Sequence, residues 1–355
     1  MSVLKYIAPA VVTTLGLCTH ACAQSTLTLY GTLDLAYGSF MTSAPAAKSH
    51  PVTKVDGNIM LTSYLGFKGV EDLGNGLKTG FVLESFLRPD TGGAGRSDTD
   101  VFWARAANVW LQGGAGKVVL GRQATLGYAQ VVAFNPFGGS FGLSPAVRLT
   151  YKANAAGNDK GDNGWSNAVS YVSPSWSGLT VSAQAQAAET TDKSERASYA
   201  VSLNYAAGPV AVGLVAHTLR SAEAPKANLT AGQKQNFAMA SASYDAGFAK
   251  FFAQYGVYDN AGYTGATKID TSLVQLGATV PVSAAGKVLV SVGQSREKPV
   301  SGGSTPKTDH NIASLAYDHW LSKRTDVYAA FMLDDEDLPG YRAGRSYIVG
   351  IRHAF

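Results

Sequence analysis

The chain has 355 residues, 39 of them glycine, and a formal net charge of +4, which is enough length for a large fold but too little charge for a nucleic-acid partner. Only 15% of the residues are charged, and both cysteines, Cys18 and Cys22, lie near the N-terminus. No C-x-x-C, H-E-x-x-H or phosphate-loop pattern occurs, so no cofactor and no metal are expected.

Residues 1–23 read as a cleaved secretory signal. Lys5 precedes an apolar run from Tyr6 to Cys18, and Ala21-Cys22-Ala23 supplies the small-x-small cleavage site. The apolar run is too short to span a bilayer. A lipoprotein site is disfavoured by Leu17 before Cys18 and by Thr19 three before Cys22. Cleavage leaves residues 24–355, which contain no cysteine and therefore no disulfide to stabilise a secreted chain.

The remainder repeats one pattern, in which runs of roughly ten residues alternate apolar and polar and are separated by turn residues. In Ser198–Tyr205, Tyr199, Val201, Leu203 and Tyr205 share one face while Ser198, Ala200, Ser202 and Asn204 share the other. Period two is the mark of a half-buried strand. Sixteen such strands are expected, near 25–40, 57–69, 77–88, 99–112, 117–123, 149–152 or 166–173, 178–188, 196–206, 209–220, 235–246, 248–259, 269–281, 286–297, 309–320, 323–333 and 344–355. Short connections such as Gly113–Gly116 and Ala246-Gly247 alternate with long ones such as Met41–Asp56 and Asp334–Ala343. One long connection stands apart: Ala124–Val147 has no charged side chain, yet it carries Tyr128, Phe134, Phe137 and Phe141. It is too apolar for solvated disorder and must fold against something.

An even strand count, alternating short and long connections and a signal sequence describe an antiparallel transmembrane β-barrel of the outer membrane. In lipid every backbone group needs a partner, so the sheet must close. Sixteen strands leave an aqueous lumen that eight would not. A large secreted β-sandwich is the alternative, but it does not require short and long loops to alternate.

Several stretches resemble the general porins of β-proteobacteria (the Neisseria, Burkholderia, Bordetella and Comamonas type). These are Leu27–Asp34 (LTLYGTLD), Leu65–Lys78 (LGFKGVEDLGNGLK), Val119–Gln123 (VLGRQ), Leu321–Thr325 (LSKRT) and the terminus Gly350–Phe355 (GIRHAF). The resemblance implies a 16-stranded barrel that assembles as a homotrimer in the outer membrane of a Gram-negative cell. It further implies that the third loop, 124–147, folds inward to constrict the pore. Water, small ions and hydrophilic solutes are then the cargo, and lipid and lipopolysaccharide are the surroundings. Phe355, a terminal aromatic on a strand whose outer parity is mostly apolar, resembles the signal read by the barrel-assembly machinery.

Alternation assigns faces when the apolar parity points to lipid, although a one-residue slip would reverse each assignment. Leu65 and Phe67 outward place Tyr64 and Lys68 inward; Phe81 and Leu83 outward place Lys78, Val82, Glu84 and Arg88 inward; Phe102 and Trp110 outward place Arg105 inward. By resemblance, Arg105 and Arg148 match two of three wall arginines of general porins, Tyr64 stands at the third, Lys68 matches a wall lysine and Glu84 a wall carboxylate. Enterobacterial relatives carry a Pro-Glu-Phe-Gly-Gly-Asp type motif on the loop, whereas here Asn135-Pro136-Phe137-Gly138-Gly139-Ser140 lacks both acids. Asn135 and Phe137 are thereby expected at the narrowest point, facing uncompensated positive charge. Rings of Arg and Lys select anions, so the channel is expected to prefer them.

Arg122 falls on the outer parity with Val118 and Leu120. A bare arginine in lipid is costly, and the resemblance implies a trimer contact. Asp334–Asp337 reads as a solvated acidic loop, with a divalent-ion site bridging lipopolysaccharide as the alternative; His217, His310 and His319 are assigned no role. Two other function classes remain, a substrate-specific channel for a particular anion or small organic acid and a barrel-embedded enzyme. The second needs a nucleophile, a histidine and an acid together, and no such set is assigned.

Overall fold

The computed structural model describes residues 26–151, 161–189, 191, 196–220, 234–259, 268–301 and 307–355; the expected signal at 1–23 lies outside them. Among the described residues, sixteen wall strands run antiparallel in chain order. They are β1 (Thr26–Phe40), β2 (Val52–Gly57 continued by Tyr64–Gly74), β3 (Leu77–Arg88), β4 (Ala106–Gly113), β5 (Gly116–Ala124), β6 (Ala168–Val172), β7 (Leu179–Gln186) and β8 (Ser198–Ala207). The ring continues with β9 (Val210–Leu219), β10 (Gln235–Asp245), β11 (Lys250–Asp259), β12 (Lys268–Pro281), β13 (Gly286–Ser301), β14 (Thr308–Trp320), β15 (Thr325–Glu336) and β16 (Gly344–Ala354). The last strand pairs with the first, from Thr32 opposite Ala354 to Ser39 opposite Tyr347, so no edge is left unpaired.

The outer face is apolar, as alternation requires: Leu29, Val201, Leu203, Leu214, Leu276, Val292 and Val349 are all exposed. Short turns sit at one end. The Gly74-Asn75-Gly76 turn has positive φ at all three residues (83°, 52° and 77°), a conformation open to Gly and Asn.

Three expectations are corrected. Alternation places Trp110 outward, but Val109 and Leu111 are the exposed apolar residues of β4 and Trp110 points inward beneath the ammonium of Lys117, 4.4 Å from its ring centre. Arg105 does face inward, but from the irregular segment before β4 rather than by alternation. The acidic run is not a loop either: Asp334, Asp335 and Glu336 belong to β15, and Asp334 is buried. Of the two candidates for the sixth strand, 168–172 forms it, while Leu149–Tyr151 lies in a helix.

That helix belongs to the uncharged loop, which holds α1 (Leu126–Ala133) and α2 (Pro145–Tyr151). Thr125 caps α1, its side chain accepting from Tyr128 N at 3.0 Å, so the first turn has one of its free donors satisfied. Against the usual polar lumen, the inner parity here includes Val215, Phe237, Leu273, Leu289 and Ile312, all buried under the loop. Val131, Leu143, Val147 and Leu149 fill the matching side, each 1% exposed or less. Burying one such side chain contributes about 1.5–3 kcal/mol relative to leaving it in water, which makes apolar packing the main force seating the loop.

Candidate functional site

Opposite that apolar seat, β1, β2, β3 and the segment before β4 assemble a polar cluster. Arg105 Nε lies 2.8 Å from Glu84 Oε2, an ion pair angled too far off for a hydrogen bond. Glu84 also accepts from Tyr30 Oη at 2.6 Å. The Arg105 guanidinium centre stands 4.2 Å from the Tyr64 ring centroid, and the Lys68 ammonium 4.7 Å from that of Tyr30. Lys68 is exposed and has no carboxylate within ion-pair distance among the described residues. Tyr64, Lys68, Glu84 and Arg105 are therefore brought together, with Tyr30 as a fifth member. Two cations face one carboxylate, and Arg105 lies close enough to Tyr128 on α1 for its charge to act on that phenol.

The other expected pore residues lie elsewhere. Arg148, on α2, is buried against β15: Nη2 meets Asp334 Oδ2 at 2.5 Å, with both side chains at most 5% exposed. Its Nη1 donates to the carbonyls of Phe141 and Gly142 at 3.3 and 3.4 Å. His310 Nε2, assigned nothing from the sequence, lies 2.8 Å from the other Asp334 oxygen. Positive charge at Arg148 is thus compensated by a wall acid that sequence reasoning places in a loop. Arg88 is likewise paired, with Asp98 at 2.5 Å in the following connection.

Asn135 and Phe137 do not line the passage, since each is only 4% exposed. Asn135 knots the turn from within, donating to Val131 O and Gly138 O and accepting from Phe137 N. Phe137 packs among Leu143, Leu289 and Ile312. Gly138–Gly142 also has the spacing G-x-S-x-G, a pattern missed in the sequence. Ser140 is no nucleophile, however, because it is fully buried and its hydroxyl donates to Ile59 O at 2.6 Å and accepts from Leu143 N at 2.8 Å.

Arg122 needs no neighbouring subunit to satisfy its guanidinium. It donates within its own chain to Ala104 O, to Ser166 Oγ at 2.9 Å and to Asp162 Oδ2 at 3.1 Å. Asp162 also takes Arg96 Nη1 at 2.7 Å, and Arg96 holds Asp100. Burial raises the Asp162 carboxyl, but the two guanidiniums outweigh it and hold the group below the usual carboxylate range. The terminal Phe355 extends the seam, exchanging backbone hydrogen bonds with Gly31 at 3.1 and 3.2 Å. Its ring covers Gly31, where an added Cβ would come within 2.6 Å.

The Gram-negative porin family matches residues 8–338. Outer membrane porin protein 32 of Delftia acidovorans is 30% identical over 94% of this chain and 95% of its own length. An outer membrane porin protein of Bordetella pertussis is 25% identical over the same shares. Among solved structures, an anion-selective porin from Comamonas acidovorans has the same fold, with a TM-score of 0.75 at 24% identity over 94% of this chain and all of that one. OmpF of Salmonella typhi has a TM-score of 0.66 at 14% identity, covering 93% and 97%. With its ring of strands closed around an inward loop, and its relatives matched along nearly their whole length, the chain belongs to the Gram-negative porin family and forms a water-filled channel in the outer membrane rather than an enzyme.

Proposed function

We propose that this channel is a general diffusion pore with a preference for anions, set where Lys68 and Arg105 face the lumen. The observation that carries the reading is the charge count of that cluster: two cations, one carboxylate, and opposite them a loop without a single acid. The surplus is one charge, smaller than an unpaired trio of cations would supply, because Arg148 is neutralised by Asp334. In a narrow lumen even one charge acts more strongly than in bulk water. The structurally similar Comamonas porin carries the description anion-selective, which supports the same sign here.

Reversal potentials across a KCl gradient in planar bilayers test it, and a cation preference refutes it. A substrate-specific channel would instead show conductance that saturates with one solute. Assembly as a homotrimer belongs to the proposal, and the native mass of the detergent-extracted protein checks it: three copies are expected, and a monomer refutes that part. Lipopolysaccharide around the outer rim and recognition of Phe355 by the assembly machinery complete the reading.

A further inference from the structure

We infer that Arg105, backed by Tyr64 and Phe86, forms a transit subsite for planar aromatic monocarboxylates, the benzoate class; this rests on the anion preference proposed above. The Arg105 guanidinium lies 4.2 Å from the Tyr64 ring centroid and 5.5 Å from that of Phe86. Tyr64 and Phe86 are cross-strand partners on the inner face, and both rings lie near the guanidinium. The Arg105 side chain stays 25% exposed, so part of it remains within reach of a solute. Tyr30 meets Tyr64 edge-on at 5.9 Å and carries Lys68 above its own ring. Two rings thus lie between two cations along one strip of wall, Lys68–Tyr30–Tyr64–Arg105. Tyr64 stands where the general-porin resemblance implies an arginine, so a ring has taken the place of a charge.

A guanidinium is planar and weakly hydrated, and it stacks on aromatic faces in a way that an ammonium does not. An aromatic ring laid on the exposed part of the Arg105 guanidinium adds a stacking contact to the charge attraction, while its carboxylate meets a cation of the strip. An aliphatic acid of equal charge gains only the Coulomb attraction. Glu84 offers little repulsion, since its oxygens are engaged by Tyr30 and Arg105 and its side chain is only 15% exposed. Binding must stay weak, because a solute that cannot leave does not permeate.

The test uses the refolded protein in planar bilayers, with chloride current blocked by added benzoate or by cyclohexanecarboxylate, which matches it in charge and approximate size but has no π face. Benzoate is expected to block at a concentration about two- to fivefold lower. Arg105→Lys is expected to abolish that difference, and Tyr64→Leu to reduce it. Equal block by the two acids in the wild type overturns the subsite, as does an undiminished difference in Arg105→Lys. The KCl reversal potential of the same channels separates the two readings. Anion preference with equal block refutes the subsite alone, whereas cation preference refutes the charge reading and the subsite with it.

Discussion

Replacing Asp334 by alanine isolates what the buried ion pair does for the inward loop. The Arg148 side chain is 5% exposed and that of Asp334 is 3%, so the substitution leaves a guanidinium sealed from water with two long hydrogen bonds, at 3.3 and 3.4 Å, and an Nε with no partner. Removing one member of a buried pair costs about 3–5 kcal/mol, mostly through the charge left behind. His310 adds little, because its ring is partly exposed and can turn to solvent. Against this stand Val131, Leu143, Val147 and Leu149, fully buried and contributing about 1.5–3 kcal/mol each. Asp334→Ala is therefore expected to fold with its loop seated but to unfold at lower denaturant. The double variant Arg148→Met/Asp334→Leu should recover most of the loss, because no uncompensated charge remains. Guanidinium unfolding in detergent micelles, followed by near-UV circular dichroism, measures both. A single variant within about 0.5 kcal/mol of wild type, or a double variant as unstable as the single, refutes the reasoning.

Arg105→Glu turns the cluster of Lys68, Glu84 and residue 105 from a surplus of one cation to a surplus of one anion, so the KCl reversal potential should move toward cation preference; an unmoved potential places selectivity elsewhere. Asp162, held below the usual carboxylate range by Arg96 and Arg122, contributes stability that is present above the ordinary carboxylate pKa and is lost only as pH falls through the depressed value. Hydrogen-exchange protection factors of residues 161–166 should accordingly be unchanged between pH 7 and 5, and Asp162→Asn should lower them at pH 7; loss of protection already at pH 5 contradicts the assignment. Gly142→Ala puts a Cβ within 2.5 Å of the Ile59 carbonyl oxygen, a backbone contact that no rotamer relieves. The expected loss is about 1–3 kcal/mol in the same unfolding assay, and wild-type stability would show that the loop is not held there.

The barrel was readable because alternation is a local property: in β8, Tyr199 to Tyr205 show both faces without reference to any other strand. It failed on β4, where Trp110 looks lipid-facing by hydrophobicity but lies inward beneath Lys117, and only cross-strand pairing with β3 and β5 settles the parity. The length of the inward loop and its lack of charge were legible, but its helices and its seat were not. Leu289 and Ile312 look like breaks in a polar lumen until the loop covers them. The Arg148–Asp334 contact joins residues 186 apart in the chain, a separation that no spacing argument spans. Tyr64, Lys68 and Glu84 face inward by alternation along their own strands, whereas Arg105 precedes β4 and was placed inward by a parity that fails there and by resemblance.

The seat of the loop is gathered from both ends of the chain: Ile59 from β2's interruption, Val215 and Phe237 from the middle, Ile312 and Asp334 from the last strands. A ring lacking any of the late strands would leave the greasy underside of the loop without cover and Arg148 without its counter-charge. Docking the loop thus doubles as an inspection of the finished cylinder. An incomplete barrel advertises itself by an unhoused apolar hook, the kind of surface that periplasmic chaperones and proteases are built to grip.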